Sequence, residues 1–195
     1  TDGNNRQATI QAGHGNNAVT SQVGPASGGN LNESGIIQIG AKNTALAGQT
    51  GGNNRQGTLQ VGVKNYATTS QSGATGSKKN ASGTAQFGYQ NGSVVGQTGG
   101  NNSQGTLQIG ATNGSTTGQN SGANGGTNQS GTAQVGYGNN AVTSQNTAGT
   151  SKGAGGDNTS STVQFGYKNT ALTGQDSTGT GNSSNSARSG VDNNA

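Results

Sequence analysis

One spaced pattern, N-x5-Q-x-G-x2-N-x-[AS]-x3-Q, recurs seven times between residues 5 and 175 of this 195-residue chain. The first Gln of successive copies is displaced by 27, 22, 26, 22, 26 and 30 residues. Such a period is typical of one supersecondary unit that is repeated and stacked, because a single unit cannot bury a core without its neighbours. The repeat therefore constrains the fold more than any other feature of the sequence.

The composition by itself is typical of a disordered chain, since only 24% of the residues are hydrophobic and 40 are Gly. Strict spacing of Gln, Gly and Asn across seven copies argues against disorder, because an entropic linker does not require fixed intervals. We therefore expect the chain to be ordered by the stacking of its repeats.

Each copy contains two segments of strand length separated by a short arc. In the copy whose segments are 105–110 and 115–119, β-forming residues predominate and the 3.6-residue period of a helix is missing. The sequence predicts an all-β fold, a β-solenoid of seven stacked two-strand rungs over residues 1–175. Residues 176–195 form a tail rich in Gly, Ser, Thr and Asn, which we expect to dock on the assembly.

Four residue columns that recur without exception are the predicted structural positions. The two Gln columns and the Asn column can form ladders of side-chain amides, and Gly suits an arc that needs positive φ. The predicted ladder residues are Gln11, Gln22, Gln38, Gln49, Gln60, Gln71, Gln86, Gln97, Gln108, Gln119, Gln134, Gln145, Gln164 and Gln175, with Asn16, Asn43, Asn65, Asn91, Asn113, Asn139 and Asn169. The predicted turn glycines are Gly13, Gly40, Gly62, Gly88, Gly110, Gly136 and Gly166.

Strand residues alternate between two faces, so either the Gln face or the apolar face could line the interior. Inward Gln and Asn could each bond to the same residue of the next rung, about 4.8 Å away, which satisfies buried amides. The inverse arrangement buries more apolar area but gives no reason for unvarying Gln and Asn. We favour Gln inside, which leaves an exposed apolar stripe as a lateral interface. That stripe consists of Ile37, Ile39, Leu59, Val61, Phe87, Leu107, Ile109, Val135 and Phe165.

The motif Q-x-G-x2-N-x-A-x3-Q resembles the curlin repeat of curli major subunits, and all seven copies match over residues 5 to 175. The resemblance implies a secreted bacterial protein that polymerises as a β-solenoid into functional amyloid fibres of the biofilm matrix. It also implies a nucleator and an outer-membrane secretion channel as partners. The leading position is always Asn here, where that family commonly has Ser, and the apolar residues lie mainly on the other strand parity.

Several other functions find no support in the sequence. The chain has no Cys and one His, and its five acidic residues share no repeat column, so we expect no enzyme activity, metal or cofactor. Nine Lys and Arg are spread along the chain without a basic stripe, which argues against nucleic-acid binding. No apolar run reaches the roughly 20 residues of a membrane span, and no signal segment begins the chain, so we expect a mature extracellular protein.

Two alternatives to fibre formation stay open on the sequence. An ice-binding solenoid would use a column of regularly spaced hydroxyls, and a surface adhesin would use the chain as a repeat module. The hydroxyl column consists of Thr9, Thr58, Thr84, Thr106, Thr132 and Thr162.

We expect the subunits to polymerise head to tail, because the ends of a solenoid present unpaired strand edges and no polar cap is evident. Residues 1–7 match residues 50–56 at all but one position, so the first rung begins like the junction of two internal rungs.

Overall fold

A computed structural model describes residues 4–24, 31–74, 78–122, 126–147, 156–179 and 181–193. Residues 1–3, 25–30, 75–77, 123–125 and 148–155 of the predicted solenoid and residues 180, 194 and 195 of the predicted tail lie outside this part of the chain. The described residues form fifteen strands and no helix. The strands are β1 (Asn4–His14), β2 (Asn17–Val23), β3 (Leu31–Ala41), β4 (Thr44–Gly51), β5 (Asn54–Val63), β6 (Tyr66–Ala74), β7 (Asn80–Tyr89), β8 (Gly92–Thr98), β9 (Asn102–Ala111), β10 (Gly114–Ser121), β11 (Asn128–Tyr137), β12 (Asn140–Thr147), β13 (Asn158–Tyr167), β14 (Thr170–Ser177) and β15 (Asn182–Val191).

The strands build two parallel sheets that face each other. The odd-numbered strands form an eight-stranded sheet in the order β1-β3-β5-β7-β9-β11-β13-β15, and the even-numbered strands form a seven-stranded sheet from β2 to β14. Each repeat lies in register with the next, so that Gln60 pairs with Gln86 and Gln71 with Gln97. The predicted all-β solenoid of stacked two-strand rungs is confirmed.

The rung count differs from the prediction by half a rung. The pairs from β1/β2 to β13/β14 are the seven expected rungs, and β15 adds an eighth strand to one sheet only. The expected tail supplies this strand, since Asn182–Val191 pairs in parallel with β13. The reason is a partial repeat that the sequence analysis did not recognise: residues 182–193 keep Asn182, Gly190 and Asn193 but have Arg188 in the Gln column.

Glycine is required where each odd strand turns into its arc. Gly110 has φ +116°, and a Cβ at this position would lie 2.0 Å from the carbonyl oxygen of Gly136 in the next rung. All seven predicted turn glycines have positive φ. Asn113 then closes the arc, because its Nδ2 donates to the carbonyls of Ile109 (3.3 Å) and Gly136 (3.1 Å). Only a residue without a side chain fits the close approach of one arc to the next.

The interior between the two sheets is mostly polar. Buried Gln, Asn, Ser and Thr side chains line it, and a column of Ala and Ser faces them from the even strands. Ile36 takes the place of Thr in the third strand, and it packs against Ala45 and Ala47 in the small hydrophobic cluster of the core. The solenoid therefore depends on hydrogen bonds between rungs to a greater degree than an ordinary globular domain does.

Candidate functional site

The first Gln column forms a continuous hydrogen-bonded ladder through the eight-stranded sheet. Each Nε2 donates to the Oε1 of the Gln in the next rung, from Gln11 to Gln164, over distances of 2.6 to 2.9 Å. Each Nε2 from Gln38 onward also donates across the interior to a backbone carbonyl, as Gln108 does to Gly92 at 2.9 Å. Gln38 and the later members are fully buried, whereas Gln11 in the first rung is exposed.

The second Gln column forms the matching ladder in the seven-stranded sheet. The chain of Nε2 to Oε1 bonds runs from Gln22 to Gln175, over 2.7 to 2.9 Å. These residues also donate to the odd strands, for example from Gln119 to the carbonyl of Ser103 at 2.9 Å. The two sheets are thus held together by amides that bond along the solenoid and across it.

Asn side chains form two further ladders, of which the sequence analysis named one. The predicted column from Asn16 to Asn169 bonds from Nδ2 to Oδ1 over 2.9 to 3.2 Å. The other column, the leading Asn of the motif, lies near the start of each odd strand, and its amides bond over 2.9 to 3.2 Å. Its members are Asn5, Asn32, Asn54, Asn80, Asn102, Asn128 and Asn158. Their recurrence six residues before the first Gln is part of the motif itself, but no ladder was predicted for this column from the sequence.

The ladders have a direction, and it makes the two ends of the solenoid complementary. Gln amides donate toward the later rung, whereas Asn amides donate toward the earlier one, as Asn113 does to Asn91. Within the described residues, the Nε2 of Gln175 has no Gln of a later rung to donate to, and the Oε1 of Gln22 has no donor from an earlier rung. One end therefore offers a donor where the other offers an acceptor.

The nine apolar residues predicted as a lateral interface lie on the outer face of the eight-stranded sheet. Ile37, Ile39, Leu107, Ile109 and Phe165 are exposed, with Phe165 at 49% and Ile39 at 45%, and the remaining four are half-buried. The in-register pairing places Ile39 beside Val61 and Phe87 beside Ile109, so these side chains form one continuous stripe along the solenoid axis.

A groove beside this stripe was not predicted from the sequence. Its volume is about 820 Å³, and its floor is a column of outward glycines two residues before the apolar residues that precede each Gln. A Cβ added to any of these glycines would meet no atom within 4 Å, so the column is open to solvent rather than packed. The glycines are Gly35, Gly57, Gly83, Gly105 and Gly131.

Two tyrosines and a lysine lie at the edge formed by the arcs, and a group of charged side chains lies on the outer face near the first rungs. The rings of Tyr137 and Tyr167 stack with centroids 5.4 Å apart, and the Nζ of Lys168 lies 4.8 Å from the Tyr167 ring. A hydrogen bond to Tyr167 and the negative charge that this phenol can carry raise the pKa of Lys168. Glu33 lies between two arginines, 3.4 Å from Arg6 and 3.6 Å from Arg55.

The hydroxyl column of the ice-binding alternative points into the solenoid. From Thr58 to Thr162 these side chains are at most 5% exposed, because they share the inward face with the Gln ladder. Thr9, in the first rung, is exposed. A buried column cannot present hydroxyls to a surface, so this feature gives the ice-binding alternative no support.

Comparison of the chain with protein-family models, curated proteins and solved structures found no match. The likeness to the curlin repeat therefore stays a prediction from the motif. In the part of the chain that the structure describes, no cluster of His, Asp or Glu has the composition of a metal site. That part also contains no helix of the length and apolarity needed to cross a membrane.

Proposed function

We propose that this chain is a structural subunit that assembles head to tail into fibres, with each solenoid continuing the sheets of the one before. The observation that carries the proposal is the complementarity of the two ends. Gln175 offers an amide donor at one end, and Gln22 offers an amide acceptor at the other. Unpaired strand edges are unfavourable in an isolated subunit, and Gln175 there lacks the ladder bond that the earlier members of its column make, so a second copy supplies both.

The fibres are proposed to be extracellular functional amyloid of a bacterial biofilm matrix, where they serve adhesion and scaffolding. The support for this setting is the motif, since five spaced positions of the curlin repeat recur seven times. A nucleating protein and an outer-membrane secretion channel are the partners that this resemblance implies. The mostly polar, amide-bonded interior suits a structural role, because its buried side chains bond to one another from rung to rung.

Lateral pairing of two solenoids is the second part of the proposal. The apolar stripe around Ile39 and Ile109 runs from the second rung to the seventh, and its residues are exposed or half-buried in the single chain. Burial of apolar area contributes about 25 cal/mol per Å², so a stripe that continues along a fibre favours association strongly. The glycine-floored groove beside it gives the side chains of an opposing stripe a place to enter.

Fibre growth from purified protein tests the proposal directly. Freshly purified chain at a series of concentrations should form fibres at a rate that rises with concentration and with added fibre fragments. Fibre diffraction should show a strong repeat of about 4.8 Å along the fibre axis, the spacing of hydrogen-bonded strands. A chain that keeps its β-structure and stays monomeric for days at high concentration would contradict the proposal, and thermal hysteresis of that monomer would revive the ice-binding alternative.

A further inference from the structure

Each odd strand and its arc carry four columns: the leading Asn, the Gln, the Gly and the arc Asn. The segment 182–193, which contains β15, keeps three of them. Asn182 Nδ2 donates to Asn158 at 3.2 Å, and Asn193 Nδ2 donates to Asn169 at 2.9 Å, so both Asn ladders continue into it. Gly190 pairs with Gly166 and has the same positive φ, +125°. The strand therefore occupies the place of an eighth odd strand and keeps the shape of a rung.

The fourth column is broken, because Arg188 pairs with Gln164 where every earlier odd strand has Gln. A Gln amide accepts one ladder bond and donates the next, whereas a guanidinium has donors but no acceptor. Gln134 Nε2 donates both to Gly114 and to the next ladder Gln, each at 2.8 Å. Gln164 Nε2 donates to the carbonyl of Asn140 at 3.1 Å and faces a side chain that cannot accept. The Gln ladder thus ends at β13.

The two sheets also end at different heights. Eight strands stand in one sheet and seven in the other, and β14 pairs only with β12 among the described residues. The strands β1 and β2 of a second copy belong to one rung, so they must arrive at the same level of both sheets. With β15 in place, a β1 that stacked on it would hold its β2 two strand spacings, roughly 9.6 Å, from β14, so one strand position of the seven-stranded sheet would stay empty.

We propose that β15 is a detachable cap over the surface on which a second copy docks. The strand β1 of the incoming copy replaces β15 as the partner of β13, and its β2 pairs with β14. This inference rests on the proposed head-to-tail assembly and adds its mechanism. The exchange keeps the backbone pairing of β13, and Asn5 and Asn16 of the second copy take over the bonds that Asn182 and Asn193 make to Asn158 and Asn169.

The exchange is favoured because it restores both Gln ladders. Gln164 meets Gln11 of the second copy in place of Arg188, and Gln175 meets Gln22 of that copy where β14 had no neighbour. The donor direction of the ladders fits, since Gln amides donate toward the later rung throughout the chain. Before docking, β15 covers the edge of β13, which limits pairing of that edge with other strands.

A reversible lock on β15 tests the inference in the full chain. The chain has no Cys, and Thr159 and Ser183 are exposed partners in register on β13 and β15. The double variant Thr159→Cys/Ser183→Cys places two thiols on neighbouring strands, at a Cα separation of about 4.8 Å that a disulfide can span. Oxidised protein should form fibres at least about tenfold more slowly than the same protein after reduction, because the crosslink prevents release of the cap.

The matched control is Gln129→Cys/Thr159→Cys, which joins β11 to β13 through an exposed registered pair inside the stack. Its oxidised and reduced forms should grow at the same rate, because neither strand has to leave. Equal growth of the oxidised and reduced cap variant would overturn the inference, since the second copy would then dock without displacing β15. Failure of the wild-type chain to form any fibre would instead overturn the head-to-tail assembly on which the inference rests.

A single substitution gives a second measurement without a crosslink. Arg188→Gln lets the cap accept from Gln164, so growth should slow by about fivefold, the factor of one net hydrogen bond. Asn193→Ala removes a bond of the cap to Asn169 and should accelerate growth. Faster growth of Arg188→Gln would contradict the inference, because it would show that β15 serves as the platform on which the next copy stacks.

Discussion

The two faces of the eight-stranded sheet differ in how closely the repeats agree. On the inner face, Gln stands at the same position in all seven repeats, whereas the neighbouring outward position varies from Ile10 to Ala85 and Val163. An inward amide bonds to the rung before it and to the rung after it, so a substitution leaves two buried groups without partners. An outward side chain has only to be compatible with the β-strand conformation. The comparison teaches that, in this solenoid, the requirement for sequence identity comes from bonds between copies rather than from the strand itself.

The largest difference between the two faces is expected for two glycines of the same strand, β9. Gly110→Ala places a Cβ 2.0 Å from the Gly136 carbonyl at a φ of +116°, whereas Gly105→Ala on the outer face meets nothing within 4 Å. We expect Gly110→Ala to lower the free energy of unfolding by roughly 2–5 kcal/mol, through strain and overpacking. Gly105→Ala should stay within about 0.5 kcal/mol of the wild type. Urea unfolding of freshly purified chains measures both, and equal midpoints would contradict the role given to the turn glycines.

The next largest effect should come from two glutamines of β11. Gln134 is fully buried in the ladder between Gln108 and Gln164, and Gln129 is exposed on the outer face. Gln134→Ala should destabilise the chain by about 1–3 kcal/mol for each amide that loses its partner, and fibres of this variant should dissolve at lower denaturant. Gln129→Ala serves as the control and should behave like the wild type. Lys64→Ala, an exposed change in an arc, should do the same.

Removal of the outward stripe should change the assembly more than the fold. The triple variant Ile39→Ser, Val61→Ser and Ile109→Ser replaces outward apolar groups with hydroxyls. Because this weakens the proposed lateral pairing, we expect thin single fibres with polymerisation intact. A control triple on the outer face of the other sheet, Val19→Ser, Val94→Ser and Leu172→Ser, removes exposed apolar groups as well and should leave paired fibres. Electron microscopy of fibre width distinguishes the two. Loss of all β-structure in the first variant would show that the stripe contributes to the folding of the single chain.

The smallest expected effect concerns the edge, where Lys168 lies over Tyr167. The hydrogen bond to Tyr167 raises the pKa of Lys168 above the ordinary 10.5, so folding favours the protonated amine. The resulting stability is fully present below pH 10.5 and is lost as the pH rises through the raised pKa. Denaturant midpoints of the wild type and Lys168→Gln should therefore differ slightly at pH 8 and converge at higher pH. A difference that grows with pH would contradict this sign.

Much of the candidate site could be predicted because the repeat is strict. Identical residues at fixed spacing must stack in register, which was enough to name both Gln ladders, one Asn ladder and the turn glycines. The outward glycine column around Gly83 was harder to recognise, because its meaning depends on the side chains that flank it after folding. The strand at Asn182–Val191 escaped because Arg188 interrupts the motif, although Asn182, Gly190 and Asn193 kept the spacing.

The spacing of the repeats specified the solenoid, the register of its rungs and the columns that recur, since a one-residue slip would turn every side chain to the opposite face. It did not decide which face lies inside, because strand alternation defines two faces without ranking them. The tertiary structure made that choice by placing the second sheet against the Gln face. It also decided the direction of the ladders and the offset at β15, since both depend on which group stands above and below each amide in the folded stack.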